Sequence, residues 1–447
     1  MLSGCLLLHG ILTLGSVAAL PNHPEYHEQH REQHHEQQPW RSRIKNVVVL
    51  VEENRSFDNL AGGLTYNADI DGLVHRQYCN PANVTVPDSE TVCARPTAHN
   101  VAPDDPNHGI SGVNMEIFST YHPDNGAGQR EENMLGFVTE QGSTYKTAST
   151  TRAAEAIDYY EQDHVRVFAS MAQNFVLFDR WFASVPGPTN PNRAYLTSGT
   201  SHGHGRNDQA FLTAGLPQRS IFQQLSEADI SWINYSNTTG FQPDALFYDW
   251  TVASGANATR VKPLSQFYAD ARAGTLPQFT YINPECCSYD SFHPPSPVTA
   301  GEGFIKGVYE ALRASPQWHE TLFIMTFDEH GGFGDHVPPP VDVPTGDDMV
   351  YTERAPDGRN VTFDFTRLGV RVPTIVMSPW VGAGVVENKG RNNGGEYSHT
   401  SILAFLAELW GLDVLTPRVG WSATFEHLIL DRMREDTPLT LPDPFPF

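Results

Sequence analysis

The sequence predicts a large α/β unit built around a parallel sheet, and three observations carry that prediction. Two short apolar runs, residues 47–51 and 321–327, are rich in β-formers, and each breaks abruptly into carboxylates. Continuous apolar runs of this length fit strands covered on both faces, as in parallel sheets with helices on either side. Apolar runs then alternate with helical periodicities along most of the chain, with no internal repeat and no clear linker.

In chain order, "KNVVVLVEENRSFDNL" (45–60) opens with a strand and passes at once into Glu52, Glu53 and Asn54. Residues 61–130 are rich in Gly, Pro, Asn and Asp and read as long loop insertions over the active face. From Thr151, "TRAAEAIDYYEQDHVRVFASMAQNF" has helical spacing, with Ala154, Ile157, Val165, Phe168 and Met171 facing the core. "FVLFDRWF" (175–182) is the next strand. "SVPGPTNPNRAYLTSG" (184–199) is a tight turn around Thr189, with a helix starting at Asn192. "SIFQQLSEADISWINY" (220–235) reads as helix then strand, and "QFTYINPE" (278–285) as a short strand. "GEGFIKGVYEALRAS" (301–315) is an amphipathic helix with Phe304, Ile305, Val308 and Leu312 inward, leading into the strand at 321–327. "VPTIVMSPW" (372–380) and the helix "SHTSILAFLAELWGL" (398–412) complete the alternation.

A chain of 447 residues with 39% hydrophobic content buries a large core. Its net charge of −23 argues against binding nucleic acid through phosphates and against electrostatic adsorption to an anionic membrane. Residues 1–20 have the short apolar core and small-residue end (Val17, Ala18, Ala19) of a secretory signal peptide. The mature protein is then expected outside the cell or in the cell wall, with no transmembrane segment. Residues 21–43, rich in His and Gln, read as a disordered leader rather than a metal-binding tract. Residues 44–447 form a single domain on this reading.

With Cys5 lost in the signal, Cys79, Cys93, Cys286 and Cys287 remain. Cys79 and Cys93 close a short loop and are the expected disulfide, with Cα atoms about 4.4–6.8 Å apart. The partners of Cys286 and Cys287 stay open. Glycosylation signals stand at Asn83, Asn234, Asn237, Asn257 and Asn360. Asn54-Arg55-Ser56 also fits the pattern, but Asn54 is expected to stay bare because a glycan would obstruct the site developed next.

If the strands at 47–51 and 321–327 are neighbours, Glu53, Asn54, Asp328 and Glu329 converge at one sheet edge, where open α/β sheets bind ligands. Oxygen donors carrying several negative charges repel one another unless a cation lies between them. Hard oxygen ligands suit Ca²⁺, Mg²⁺ or Mn²⁺, so one divalent ion is expected. Thr189, at a helix entrance, faces free amides and the positive end of the helix dipole, which favours bound phosphate. The same residue also reads as an ordinary helix cap. His108, His293, His336 and His399 lie in loops or at a helix start, where histidines bind phosphate or donate a proton to a leaving oxygen.

"ENRSFDNL", "PGPTNPNR", "HPPSPVTAGE", "DEHGGFGDHVPPP" and "EYSHTSIL" together resemble the phosphoesterase family of bacterial and fungal phospholipases C and acid phosphatases, which includes plant non-specific phospholipases C. "NVVVLVEENRSFDNLAGGL" is similar in particular to the fungal branch described as phosphatidylglycerol-specific phospholipase C. The resemblance implies a three-layer α/β/α sandwich similar to alkaline phosphatase and the sulfatases. It implies a nucleophile at Thr189 and metal or phosphate ligands at Glu53 and Asn54. Asp328 and Glu329 correspond to the second carboxylate pair on the metal. His108 and His293 correspond to histidines that bind phosphate or transfer protons, and His336 and His399 to further phosphate contacts. The reaction implied is hydrolysis of a glycerophospholipid to diacylglycerol and a phosphorylated head group, through a phosphothreonine. Contact with a lipid surface would be transient. Asn59-Leu60 departs from the His-Tyr of many members and is expected to alter the pocket rim. A broad acid phosphatase acting on soluble monoesters is the alternative; an inactive secreted binding protein is a remote one.

Overall fold

The computed structural model describes residues 39–96, 99–101, 105–123, 132–237, 243–284, 290–390 and 394–447. The expected signal peptide, most of the expected leader, Cys286 and Cys287 lie outside these residues. Trp40–Phe447 form one compact unit.

Eight strands make the central sheet: β1 (Asn46–Glu52), β2 (Val176–Phe178), β3 (Trp232–Ser236), β4 (Val261–Lys262), β5 (Phe279–Asn283), β6 (Thr321–Phe327), β7 (Thr374–Met377) and β8 (Val385–Glu387). Their spatial order is β8-β2-β7-β6-β1-β5-β3-β4. β1 lies parallel between β5 and β6, with Val49 opposite Tyr281 on one side and Ile324 on the other. β7 alone runs antiparallel, Ile375 facing Met325 of β6 and Leu177 of β2. Every residue of β1, β5, β6 and β7 is buried, and alternate side chains point to opposite faces, so both faces are covered.

Two helix groups provide that cover. In one, α7 (Val298–Ala314) packs on α3 (Arg166–Asn174) and α6 (Leu264–Ala273). In the other, α4 (Thr189–Ser198) packs on α5 (Ile221–Glu227) and α8 (Thr400–Trp410). The result is the expected three-layer α/β/α arrangement. α7 buries Phe304, Ile305, Val308 and Leu312 as its spacing predicts. Its Glu302 accepts the free N–H groups of Val167 and Phe168 at the entrance to α3, both at 2.8 Å. Burial pushes the Glu302 carboxyl up to about 8 even so.

Several elements differ from the sequence reading. The stretch 61–130, read as loop, carries the helix Ile110–Phe118. The helix expected from Thr151 is broken into Thr150–Ala154, a 3₁₀ turn at Glu155–Ile157, and α3. Between them Tyr159 N–H bonds the Arg95 carbonyl and Tyr160 N–H bonds that of Asn59, so tertiary hydrogen bonds override the periodicity. "FVLFDRWF" supplies two strands, β2 and Trp181–Phe182, the latter pairing with Tyr397–Ser398 outside the main sheet.

The Cys79–Cys93 disulfide is present. Its Cα atoms are 3.9 Å apart, closer than expected, because the two residues stand directly opposite in an antiparallel ribbon. Asn54 and Asn234 are fully buried. The Asn234 amide nitrogen donates to the carbonyls of Tyr235 and Tyr281 and to Asn283 Oδ1, so this signal has no room for a glycan in the folded chain. Asn83, Asn237, Asn257 and Asn360 are exposed. Among the described residues no helix is long and apolar enough to cross a membrane.

Candidate active site

The parallel register of β1 and β6 places Glu52 opposite Phe327, so the chain segments that follow emerge side by side. Asp328 N–H bonds the Glu52 carbonyl at 3.0 Å. Asp328 Oδ1 accepts the N–H groups of Asn54 (3.3 Å) and Glu329 (2.8 Å), which ties the two strand ends together. Gly331 has φ of 67°, and a Cβ there would lie 2.4 Å from the Asn54 carbonyl oxygen, so only glycine lets the loops approach this closely.

The third wall is α4. Asn192 fixes the turn before it, accepting from Val185 N–H and donating to the carbonyls of Val185, Gly187 and Pro188. Thr189 is the first residue of the helix and is buried, while Pro188 occupies the capping position without a side-chain bond. The reading of Thr189 as a cap therefore falls away. The helix also begins three residues before Asn192, because the pinned turn delivers the chain already in helical conformation.

Arg193, four residues beyond Thr189, lies on the same helix face. Its buried guanidinium bonds Asp328 Oδ2 at 2.9 Å, Glu53 Oε1 at 3.1 Å and the Val51 carbonyl at 3.0 Å, with Asp244 Oδ2 at 3.5 Å. Thr189 thus stands one turn from the group that gathers the strand-end carboxylates. Burial works against charge on Arg193, yet Asp244, Asp328 and Glu53 together hold it firmly protonated.

The fourth wall carries His108, His293 and Asp105, whose ligand atoms lie within 4.8 Å of one another. Each histidine is oriented by a backbone carbonyl: His108 Nδ1 on Pro106 O at 2.8 Å, and His293 Nδ1 on Pro294 O at 2.7 Å. Nδ1 donates in both rings, which leaves Nε2 open. His108 Nε2 is 3.8 Å from Glu329 Oε1, and His293 Nε2 is 3.9 Å from Asp105 Oδ2. Asn54 Nδ2 donates to Asp105 Oδ1 at 3.1 Å, joining this wall to the strand ends. Burial lowers the pKa of His293.

At the strand ends Glu53 Oε2, Asn54 Oδ1 and Glu329 Oε1 are buried without a hydrogen-bond partner among the described residues, as are both carboxylate oxygens of Glu52. Burial raises Glu53 to about 8 against the pull of Arg193, and it pushes Glu329 well above the carboxylate range. Unpartnered buried oxygens on crowded acids form a donor set suited to a hard divalent cation, so the residues fit such an ion. Asp328 braces the same edge: Oδ1 accepts the two backbone amides, while Oδ2 accepts Arg193 Nε and keeps a further lone pair that a cation can use.

His336 and His399 do not join this group, and their expected phosphate contacts are corrected. His399 Nε2 bonds the Asp328 carbonyl at 2.6 Å, and its Nδ1 accepts from Trp181 Nε1 at 3.4 Å, so both ring nitrogens are occupied. Burial lowers its pKa to about 4, and it supports Asp328 as a neutral ring. His336 belongs to a separate knot, with Nδ1 on Asp58 at 2.6 Å and Nε2 on Asp71 at 3.1 Å. Arg371 bonds the same Asp58 and also Asp335. The antiparallel course of β7 brings Arg371 to this edge of the sheet. Asn59 is also not a rim residue. It is buried, accepting from Arg55 and donating to the Asp158 carbonyl.

Burial opposes charge on His336, but the hydrogen bond and charge of Asp58, with Asp335, raise its pKa above the ordinary value. A raised histidine contributes stability that is fully present below its unfolded pKa of about 6.5 and is lost as pH rises through the folded value. His336→Gln should therefore flatten the decline of the urea midpoint above about pH 6.5. An unchanged slope would show that another group governs it.

The sequence reading missed Arg193, Asp105 and Asp244. Arg193 had a signal, being the only Asp, Glu, Lys or Arg between residues 181 and 205. Asp244 had none, because it reaches Arg193 only through the packing of the 3₁₀ turn Asp244–Phe247 on α4.

A buried hydroxyl at a helix entrance, one turn from an arginine that gathers acids at a sheet edge, is equipment that suits a hydrolytic α/β enzyme. The model of the Phosphoesterase family matches residues 44–413, and the chain belongs to that family. Non-specific phospholipase C6 of Arabidopsis thaliana is 40% identical over 429 residues, which cover 91% of this chain and 76% of its own. Non-specific phospholipase C4 of the same plant is 38% identical, covering 90% and 74%. Hemolytic phospholipase C of Pseudomonas aeruginosa is 26% identical, covering 83% of this chain and 53% of its own. Among solved structures, a protein in the alkaline phosphatase superfamily from Vibrio parahaemolyticus aligns at 12% identity and a TM-score of 0.34, over 58% of this chain and 63% of that one.

Proposed function

We propose that the protein is a secreted, metal-dependent phospholipase C that hydrolyses a glycerophospholipid to diacylglycerol and a phosphorylated head group. The observation that carries the reading is the placement of Thr189 one helical turn from Arg193, which grips the Glu53 and Asp328 carboxylates beside unpartnered buried oxygens. The names of the plant relatives support phospholipid as the substrate. The apolar run at residues 1–20 and the Cys79–Cys93 disulfide support export.

Thr189 Oγ attacks phosphorus, and the bond from phosphorus to the glycerol oxygen breaks. The hydroxyl proton passes to the open Nε2 of His108. His293, its imidazolium favoured by the bound phosphate, gives a proton from Nε2 to the departing diacylglycerol oxygen. Water then attacks the phosphothreonine and loses a proton to His293. His108 returns its proton to Thr189, and the phosphorylated head group leaves. Glu53, Asn54, Asp328 and Glu329 would hold a divalent ion, which would supply positive charge beside the phosphate. Ca²⁺, Mg²⁺ and Mn²⁺ fit this oxygen set.

Comparing kcat/KM on a phosphatidylcholine dispersion with that on p-nitrophenyl phosphate tests the reading. A clear preference for the lipid is expected, and a preference for the monoester would make the protein an acid phosphatase. Dialysis against a chelator should abolish turnover, and one of the three cations should restore it. Full activity after exhaustive chelation would remove the ion from the account.

A further inference from the structure

Met349 and Val350 stand exposed, at 42% and 58% of their surface, just before a two-stranded ribbon of Tyr351–Arg354 and Asn360–Phe363. Val361 and Phe363 of the ribbon, with Phe365 just beyond it, are buried in a cluster with Ile110, Val185 and Tyr195, and Tyr351 packs partly buried against it. Ile110 begins α2 (Ile110–Phe118), two residues after His108, while Val185 and Tyr195 flank Thr189. The ribbon is thus anchored on both walls of the candidate active site. Ser111 N–H bonds Glu353 at 2.7 Å and Thr200 Oγ1 bonds Asp347 at 2.5 Å, fixing its base. A Cβ on Gly203 would come within 3.1 Å of Met349, which places Met349 against the loop leading to Asn207. Asn207 in turn accepts the N–H of Asn190, next to Thr189. Two consecutive hydrophobic side chains are therefore exposed just before a ribbon that packs against segments carrying His108 and Thr189. Packing does not explain their exposure.

We propose that Met349 and Val350 form an insertion element that seats the mouth of the site on a neutral, zwitterionic phospholipid surface. The proposal rests on the phospholipid reading and adds where the enzyme meets the lipid and which surface it selects. Apolar side chains gain by leaving water at such an interface. The net charge of −23, with Asp347 and Asp348 immediately before the tip, disfavours an anionic surface.

The test uses the full chain and two variants. Val350→Trp should add a tryptophan emission that shifts to the blue with phosphatidylcholine vesicles and is quenched by brominated acyl chains, but not with phosphatidylglycerol vesicles. This readout needs no turnover, so it stands apart from the proposed activity. The double variant M349S/V350S should lose about 10–100-fold of activity on phosphatidylcholine vesicles. On dihexanoyl phosphatidylcholine below its micelle concentration it should match the wild type. No emission shift, a shift driven by protein concentration alone, or equal loss on both substrates would overturn the proposal. A wild type inactive on both lipids, with Val350→Trp still partitioning, would retain the docking and discard the phospholipase reading.

Discussion

Thr189→Ala should lose at least about 10⁴-fold in kcat on phospholipid while binding substrate nearly as well as the wild type. The change removes the attacking oxygen and leaves Arg193, the strand-end acids and both histidines where they are. Because Pro188 rather than Thr189 holds the capping position, the variant should lose little stability. Thr189→Ser keeps the hydroxyl and should retain substantial activity. Rapid quenching of the wild type should trap phosphate on residue 189. Turnover by Thr189→Ala within a few-fold of the wild type would end the nucleophile assignment.

Arg193→Met should cost about 3–5 kcal/mol of stability, because it leaves buried acids without their shared counter-charge. Glu53, Asp328 and Asp244 all meet this one guanidinium. Arg193→Lys keeps the charge, but a single ammonium does not reach the same set of acceptors, so an intermediate loss is expected. Urea unfolding at neutral pH reads both variants. A midpoint for Arg193→Met equal to the wild type would mean that the acids are already protonated and need no cation.

The parts of the fold that were legible are those where one segment decides its own state. β1 and β6 are continuous apolar runs whose bounds match the sequence reading closely, and their shared edge follows from pairing two strands that each end in acids. α7 shows its core stripe in its spacing. The direction of β7 was not legible, because a four-residue buried strand has the same pattern in either orientation. The break before α3 was hidden because Asn59 and Arg95, distant in sequence, supply the competing bonds. At the site, residue type singled out Glu53, Asn54, Asp328 and Glu329, which the fold brings to one sheet edge, and His108 and His293, which it places beside Asp105. It did not reveal that His399 spends both ring nitrogens on Trp181 and the Asp328 carbonyl, since a histidine at a helix start reads the same whatever packs on it. His336 carries the same lesson: its motif is shared with Asp328 and Glu329, yet its partners Asp58 and Asp71 place it in a different knot.

The proposed attack by Thr189 cleaves a phospholipid on the glycerol side of phosphorus. Product analysis after incubating the purified protein with phosphatidylcholine labelled in both the acyl chains and the choline reads which bond breaks. Diacylglycerol and phosphocholine in equal amounts, absent with Thr189→Ala, are the predicted result. Phosphatidic acid with free choline, or released fatty acid, would contradict the account.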